Sequence, residues 1–464
     1  MKESMYNIWM EGDNGAKLCY NAFASGFAEL DKETYKFFMK CASKKIDPNN
    51  FTDKEKESYE QFKKGGMLVE ETLNEQDRVK LKFLQSTYSP NSLGYTLLPT
   101  MACNFKCTYC FEEQKPVSMS REVIDKIKEM TTEAFKSSYL EYFAITWFGG
   151  EPLLGYDTVI ELSDFFINLC NERKVKYSSH MISNCWLLDK EKAKALSERK
   201  VTHIQATIDG PPDIHNQRRV LRGGGPTFDR IVQNVLEASE FIPIAVRVNV
   251  DKEIAKDFTP LFDSIKILAG KKNISIYPGL LTSEATKACA SVENMCLNVQ
   301  EYAEVLTKFY QSAIEKNLGF SWYVRSMSSS CCATRPTSTV ICPDGSLVRC
   351  WNQVGQEKES YGNIMDMKAI NGENYFKWVL FNPFDKEECD GCVFMPCCLA
   401  NCPAKWLPMT TDFTQTDRKL EKCASYKYNI KDLLKITYAE KKKEAQKKQE
   451  EEKAAQKAWG TIHA

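Results

Sequence analysis

The sequence is poor in histidine, with 4 in 464 residues, and it has no excess of either charge. Lys plus Arg and Asp plus Glu are both 62, so the formal net charge is zero. A balanced chain gives no electrostatic footing for nucleic acid, and none is expected as a partner. Long hydrophobic runs are also lacking. None reaches the ~18 apolar residues of a membrane span, so no membrane is expected. Met1–Met10 has neither a basic start nor an apolar stretch, and no secretory signal is expected there. The expected compartment is the cytoplasm, where disulfides are rare.

Cysteine is what the chain has in quantity, with 19 residues. Cytosolic cysteines in clusters point to metal ligands. Three lie in Cys103–Cys110, and ten lie between Cys331 and Cys423. Hydrophobic residues at 43% and charged residues at 27% are ordinary for a globular protein. At roughly 100–200 residues per domain, the length suits two to four domains.

Residues 1–90 read as one small unit. Tyr6, Ile8 and Met10 alternate as in a half-buried strand. Glu11–Gly15 is a turn cluster and Lys17–Phe23 the returning strand. Asp31 caps a helix, and Thr52 with Glu55 forms a capping box that opens another. Gly65-Gly66 ends it, and Met67-Leu68-Val69 starts a strand. This order is winged-helix-like. The 52–64 helix mixes acids with lysines, which suits a peptide-docking module better than a phosphate-facing one.

Residues 91–320 alternate strands and amphipathic helices. Strands are expected at Gly94–Leu98, Phe143–Phe148, Ser179–Ile182, Ile204–Ile208, Ile244–Val250 and Ile274–Tyr277. Helices are expected at Arg121–Phe135, Tyr156–Asn171, Lys190–Lys200, Phe228–Ser239 and Val299–Lys316. The fold class is α/β, and the alternation predicts a parallel sheet of βα units. Six such units make a partial (β/α)6 barrel of the TIM type, with its site at the strand C-terminal ends. Residues 321–436 are irregular and cysteine-rich, with little material for an apolar core, so metal is expected to hold them. Residues 437–464 read as a charged tail, helical or disordered.

Cys103, Cys107 and Cys110 follow the first barrel-type strand. Three thiolates this close suit three irons of a [4Fe–4S] cluster and leave the fourth iron without a protein ligand. Zinc is the alternative, but it would want a fourth Cys or His nearby. Gly149-Gly150-Glu151-Pro152 ends the second strand, Ser183-Asn184 the third and Asp209-Gly210-Pro211 the fourth, while Arg247 lies in the fifth. Glycines let backbone approach a ligand closely. Glu151 offers acceptors to an ammonium, and Arg247 offers a fork to a carboxylate. A core pairing of Arg247 with Asp209 is the alternative.

In strand order, these motifs resemble the radical S-adenosylmethionine family. Its signature is CxxxCxφC, with Tyr109 before the last Cys, followed by a GGEP segment. The resemblance implies that S-adenosylmethionine chelates the open iron of the cluster on Cys103, Cys107 and Cys110. It gives Tyr109 an adenine contact and Gly149, Gly150 and Glu151 the methionine amino group. Ser183, Asn184 and Arg247 would hold the ribose and carboxylate, with Asp209 also at the cofactor.

The later cysteines resemble the SPASM pattern, which houses two auxiliary [4Fe–4S] clusters, three clusters in all. By that pattern Cys332, Cys350 and Cys402 serve the first auxiliary cluster. Cys389, Cys392, Cys398 and Cys423 serve the second. Zinc ribbons are the alternative, but the x5 and x3 spacings do not suit them. The fourth ligand of the first auxiliary cluster is open between Cys331, Cys342 and a substrate thiolate. Trp351 follows Cys350 where SPASM enzymes that mature sulfatases carry an aspartate. The stretch Cys350–Ile364 instead looks like thioether-forming peptide maturases.

The resemblance therefore implies a radical enzyme acting on a ribosomal precursor peptide, with the leader held on residues 1–90 and electrons from a flavodoxin- or ferredoxin-type reductant. A 5′-deoxyadenosyl radical would abstract hydrogen, and a Cys thioether is the expected product. Carbon–carbon or carbon–oxygen crosslinking is the alternative. An iron–sulfur scaffold that binds peptide or DNA and senses redox state is the alternative of another class. Cys19, Cys41, Cys170, Cys289 and Cys296 are expected to be small buried hydrophobes, and Cys397 packing. Cys185 is a candidate neighbour of the cofactor. His180 and His203 are expected to be structural, and His215 is a candidate for the mouth. Gly223–Gly225 is expected to be a loop there.

Overall fold

The computed structural model describes residues 1–43, 47–112, 114–281, 293–318, 322–367, 371–407 and 422–462. Its centre is a nine-stranded, mostly parallel sheet. Six strands alternate with helices: β1 (Ser92–Leu97), β2 (Tyr142–Trp147), β3 (Lys176–Ile182), β4 (Val201–Thr207), β5 (Ile244–Val250) and β6 (Ile274–Leu280). They pair in parallel, in sequence order. The expected strands all appear, each within a few residues of its expected bounds.

The helices α1 (Arg121–Ala134), α2 (Tyr156–Arg173), α3 (Lys190–Glu198), α4 (Phe228–Ala238) and α5 (Val299–Glu315) correspond to the expected ones. Local chemistry sets their ends. Ser120 accepts from the Val123 amide and Asp189 from the Lys192 amide, each supplying an orphan donor of the first turn. Asn298 and Glu301 form a reciprocal capping box on α5. Phe143 anchors the packing between sheet and helices. Its ring lies 5.1–5.4 Å from those of Tyr95, Phe135 and Phe166, all edge-on.

The remaining strands are β7 (Ser338–Ile341), β8 (Ser346–Val348) and β9 (Gly362–Asn363). β7 lies parallel to β1, in register from Ser338 opposite Gly94 to Ile341 opposite Leu97. Gly94 leaves the space this needs, because a Cβ there would stand 3.0 Å from the Ser338 Oγ. β8 and β9 then add antiparallel. This corrects the expectation that residues after 321 lack an apolar core. Ile341, Leu347 and Ile364 are buried in the same core as the parallel strands. Short strands with few apolar residues hid this, since their burial comes from joining an existing sheet.

Before the sheet, Asn7–Glu11, Lys17–Asn21 and Gly26–Leu30 form an antiparallel meander. Helices Lys32–Ala42 and Asp53–Lys64 follow, then Leu68–Val69 paired with Lys2–Glu3, then helix Glu75–Thr87. The third meander strand and the last helix were not expected. This unit shares apolar packing with the cysteine-rich segment: Tyr6, Tyr20 and Phe83 are buried with Met395, Leu399, Ile430 and Leu434. The last two belong to α6 (Tyr426–Ile462), a continuous helix that runs through the expected boundary at 437. Among the described residues, no helix is long and apolar enough to cross a membrane, and no disulfide is present.

Candidate active site

The cysteine loop leaves β1 and is held by a strap that the sequence reading did not find. Phe105–Cys107 pairs antiparallel with Arg219–Leu221, Cys107 opposite Arg219. The Thr108 amide donates to the Arg218 carbonyl, and the Arg222 amide to that of Asn104. Arg222 Nε reaches the Cys103 carbonyl at 2.9 Å, and its Nη2 donates to Gln114 at 2.5 Å. The run Arg218-Arg219-x2-Arg222 was the available signal. Cys103, Cys107 and Cys110 lie within electrostatic reach of one another. Burial pushes the Cys103 thiol up to about 12 and that of Cys110 up to about 11, and it raises that of Cys107. Ligation here therefore has to displace protons.

Beneath the loop lies a buried polar network. The Tyr109 hydroxyl donates to Asp209 and accepts from Arg219 Nη1 at 2.9 Å and Asn249 Nδ2 at 3.1 Å. Asn249 also donates to Asp209 at 2.9 Å. Burial, with Asp209 beside it, holds the Tyr109 hydroxyl far above its ordinary range. Arg219 and Asn249 were missed as members of this network. His215, a candidate for the mouth, is fully buried behind it. Its Nδ1 accepts from the Asp209 amide at 3.2 Å, and burial, aided by Arg219, lowers its pKa to about 3.

Arg247 does not pair with Asp209. Its Nε donates to Asn249 Oδ1 at 2.9 Å, and it makes no ion pair among the described residues. The guanidinium lies against Gly279 of β6, where a Cβ would stand 2.4 Å from Nε.

Gly149, Gly150 and Glu151 bind the end of β2 to the cysteine loop. The Gly150 amide donates to Thr100 O and the Glu151 amide to Ala102 O. Gly149 has a φ of +112°, and a Cβ on Gly149 or Gly150 would stand 2.4 Å from a carbonyl oxygen of that loop. Glu151 is fully buried, and both of its oxygens are engaged. Oε1 accepts from Ser183 Oγ at 2.9 Å and the Leu153 amide at 3.0 Å; Oε2 accepts from the Asn184 amide at 2.8 Å. It thus ties β3's end to β2's. Asn184 Nδ2 points at Asn104 and Cys103, 2.8 Å and 3.9 Å away. Cys185, with φ at +61°, is fully buried and packs in the apolar core rather than facing the loop.

A second acid, Glu112, was not singled out in the sequence. Its Oε2 is buried without a hydrogen-bond partner. Burial, then the charge of Glu151, raises its pKa to about 7.

The later cysteines sort into two groups. Cys332, Cys350 and Cys402 lie within electrostatic reach, with Cys331 sharing a thiol hydrogen bond with Cys332. Arg349, buried and unnoticed in the sequence, shapes the turn that carries them, donating to the carbonyls of Ala333, Arg335 and Ser338. Cys342 is apart from them, in an apolar patch with Leu98, Phe148 and Val354. Cys389, Cys392, Cys398 and Cys423 together line a cavity of about 490 Å³ with Trp406 and Tyr426. Lys427 Nζ stands 3.2 Å from Cys423 Sγ.

Between the two groups, Leu399, Ala400 and Asn401 all take left-handed φ, at 46°, 63° and 59°. That conformation costs L-residues roughly 1–2 kcal/mol each, and these three residues are the whole link between Cys398 and Cys402. Cys397 is buried as expected, whereas Cys296 is only partly buried; Cys289 lies outside the described residues. Among the described residues no three Cys, His, Asp or Glu side chains converge as ligands of one ion.

Phe111, Phe148 and Trp351 connect the first two groups. The Phe111 and Phe148 rings stack at 6.3 Å, and Phe148 meets Trp351 at 5.7 Å. Each end ring follows a cysteine, Cys110 or Cys350.

Comparison with known proteins places this arrangement. Residues 97–264 match the model of the radical SAM superfamily. A cysteine-type anaerobic sulfatase-maturating enzyme of Clostridium perfringens is 24% identical over 325 residues, covering 65% of this chain and 85% of the relative. The radical SAM cyclopropyl synthase TigE of Paramaledivibacter caminithermalis is 20% identical over 436 residues, covering 85% of this chain and 88% of that one. The solved structure of native anSMEcpe with bound AdoMet and the Cp18Cys peptide shares the fold, at a TM-score of 0.54 and 22% identity, covering 75% of this chain and 97% of that one. Residues 97–264, which carry the strapped cysteine loop and the buried network beneath it, are a radical SAM domain, and the chain is similar to radical SAM enzymes over most of its length.

Proposed function

We propose that this enzyme modifies a ribosomally made precursor peptide and joins a Cys sulfur to a peptide carbon as a thioether. The observation that carries this reading is the sorting of the cysteines into three separate groups, two of them beyond the radical SAM domain. Crosslinking removes two hydrogens from the peptide, so it needs an electron acceptor besides the radical. In this reading Cys332, Cys350 and Cys402 hold one auxiliary [4Fe–4S] cluster, and Cys389, Cys392, Cys398 and Cys423 hold another. Cys331 is the nearer candidate to complete the first, since Cys342 faces the apolar patch.

Cys103, Cys107 and Cys110 hold the third cluster. S-adenosylmethionine bound on it would supply the radical chemistry that removes hydrogen from the peptide. Gly149 and Gly150 let its methionine end approach the backbone, Arg247 takes its carboxylate, and Ser183 and Asn184 hold the ribose edge. Tyr109, whose hydroxyl Asp209 fixes, presents its ring to the adenine. Residues 1–90 hold the peptide leader as a winged-helix-like module, and a flavodoxin- or ferredoxin-type protein is the reductant. Sulfatase maturation is disfavoured by Trp351, which stands where such enzymes carry an acid.

The test is a mass spectrum. The chain is expressed anaerobically with the short peptide encoded beside it. Loss of two hydrogens per site, with Cys no longer alkylatable, supports a thioether. The same loss with all thiols free favours carbon–carbon bonding, a second reading for which the similarity to a cyclopropyl synthase speaks. An unchanged peptide overturns both.

A further inference from the structure

Tyr6, in the N-terminal unit, shares a cavity of about 160 Å³ with Cys389, Asp390 and Cys392. Tyr6 is 1% exposed, yet its hydroxyl has no hydrogen-bond partner among the described residues. Its backbone is fixed from the helix Glu75–Thr87. Glu75 accepts from Ser4 Oγ at 2.5 Å and from the Met5 amide at 2.9 Å, and Ser4 Oγ accepts from the Tyr6 amide at 3.2 Å. The Tyr6 side chain packs in one apolar cluster with Phe83, Met395 and Leu399. On the other side, the Cys392 amide donates to the Cys389 carbonyl at 3.2 Å, closing the turn that carries both thiols. Gln76 Nε2 donates to Asp390 within that turn, also at 3.2 Å.

A buried phenol without an acceptor is costly. The carboxylates on this cavity, Asp77 and Asp390, are exposed and bonded to Asn74 and Gln76. Sulfur is the acceptor that remains for a buried hydroxyl. We infer that Tyr6 donates a hydrogen bond to the Cys392 thiolate when that sulfur ligates the proposed second auxiliary cluster, and so raises the cluster's reduction potential. The inference rests on the proposed assignment of Cys389, Cys392, Cys398 and Cys423 to that cluster. Hydrogen bonds to cluster sulfurs stabilise the reduced, more negative state. Tyr6 is thus a positioning residue of the cluster, contributed by the unit proposed to hold the peptide leader.

The experiment is a redox titration of the anaerobically reconstituted full chain, read by electron paramagnetic resonance, with iron content and a thermal melt alongside. Tyr6→Phe removes the hydroxyl and keeps the ring. The midpoint of one cluster should move to a more negative potential, while iron per chain, melting temperature and the other midpoints hold. 3-Fluorotyrosine at position 6, a stronger donor, should move the same midpoint the other way. Midpoints unchanged by both would leave the hydroxyl to water in the cavity, and a shift shared by every cluster or accompanied by iron loss would mean a structural role; either result overturns the inference. Changing Cys389 and Cys392 together to Ala identifies the cluster, since its signal and about one-third of the iron should vanish. If no iron is lost, the cluster assignment itself falls, and the inference with it.

Discussion

Arg247 lies against Gly279, one strand away, where any side chain would strike its guanidinium: a Cβ would stand 2.4 Å from Nε and 2.8 Å from Cζ. Gly279→Ala should therefore push Arg247 from its seat while leaving the β5–β6 pairing intact. Affinity for S-adenosylmethionine should fall on the order of tenfold, ~1.4 kcal/mol, with little change in melting temperature. Equilibrium binding beside a thermal melt checks this. A melt that drops while affinity holds would show that Gly279 serves packing alone.

Arg219 is the buried cation that balances Asp209 beneath Tyr109. Arg219→Met keeps its length and strands the acid. Removing one member of a buried pair costs about 3–5 kcal/mol, and a denaturant titration should show a loss of that size. The cysteine loop should loosen too, since Arg219 pairs with Cys107 across the strap; faster amide exchange over Phe105–Cys107 would report it.

His215 gives a pH dependence. It is buried and neutral, its pKa lowered to about 3, against ~6.5 in an unfolded chain. Below ~6.5 the unfolded state takes up a proton that the native state refuses. Its contribution to stability is thus full above that value and is lost as pH falls from there toward about 3. His215→Asn should flatten the fall in stability between pH ~6.5 and ~4 relative to wild type. Parallel curves would show that His215 takes its proton while folded.

Phe143 touches rings from β1, α2 and the end of α1. Phe143→Ala should cost about 3–5 kcal/mol in equilibrium unfolding, with iron content per folded chain unchanged.

Changing Cys103, Cys107 and Cys110 to Ala should leave roughly two-thirds of the iron, given three [4Fe–4S] clusters. Iron analysis with electron paramagnetic resonance reads this. Loss of all the iron would contradict independent sites.

The βα alternation, the strand ends that carry Gly149–Glu151, Ser183-Asn184 and Asp209, and the Cys spacings were all legible along the chain. Each is a local pattern: hydrophobic period, turn residues, or ligands a few residues apart. Burial of β7 beside β1 was not legible, because Ser338–Ile341 has no strong pattern of its own and gains its partner some 240 residues away in sequence. The Arg218–Arg222 strap escaped for the same reason.

The sequence by itself determined which residue types are available for the chemistry and in what order the strands present them. Only the tertiary structure decided their roles. It set Arg219 rather than Arg247 beside Asp209, buried His215, parted Cys342 from Cys332, and used both oxygens of Glu151 while leaving one of Glu112 bare. The physical reason is that a charged or polar group is defined by what replaces its lost water, and that replacement comes from segments far apart in sequence.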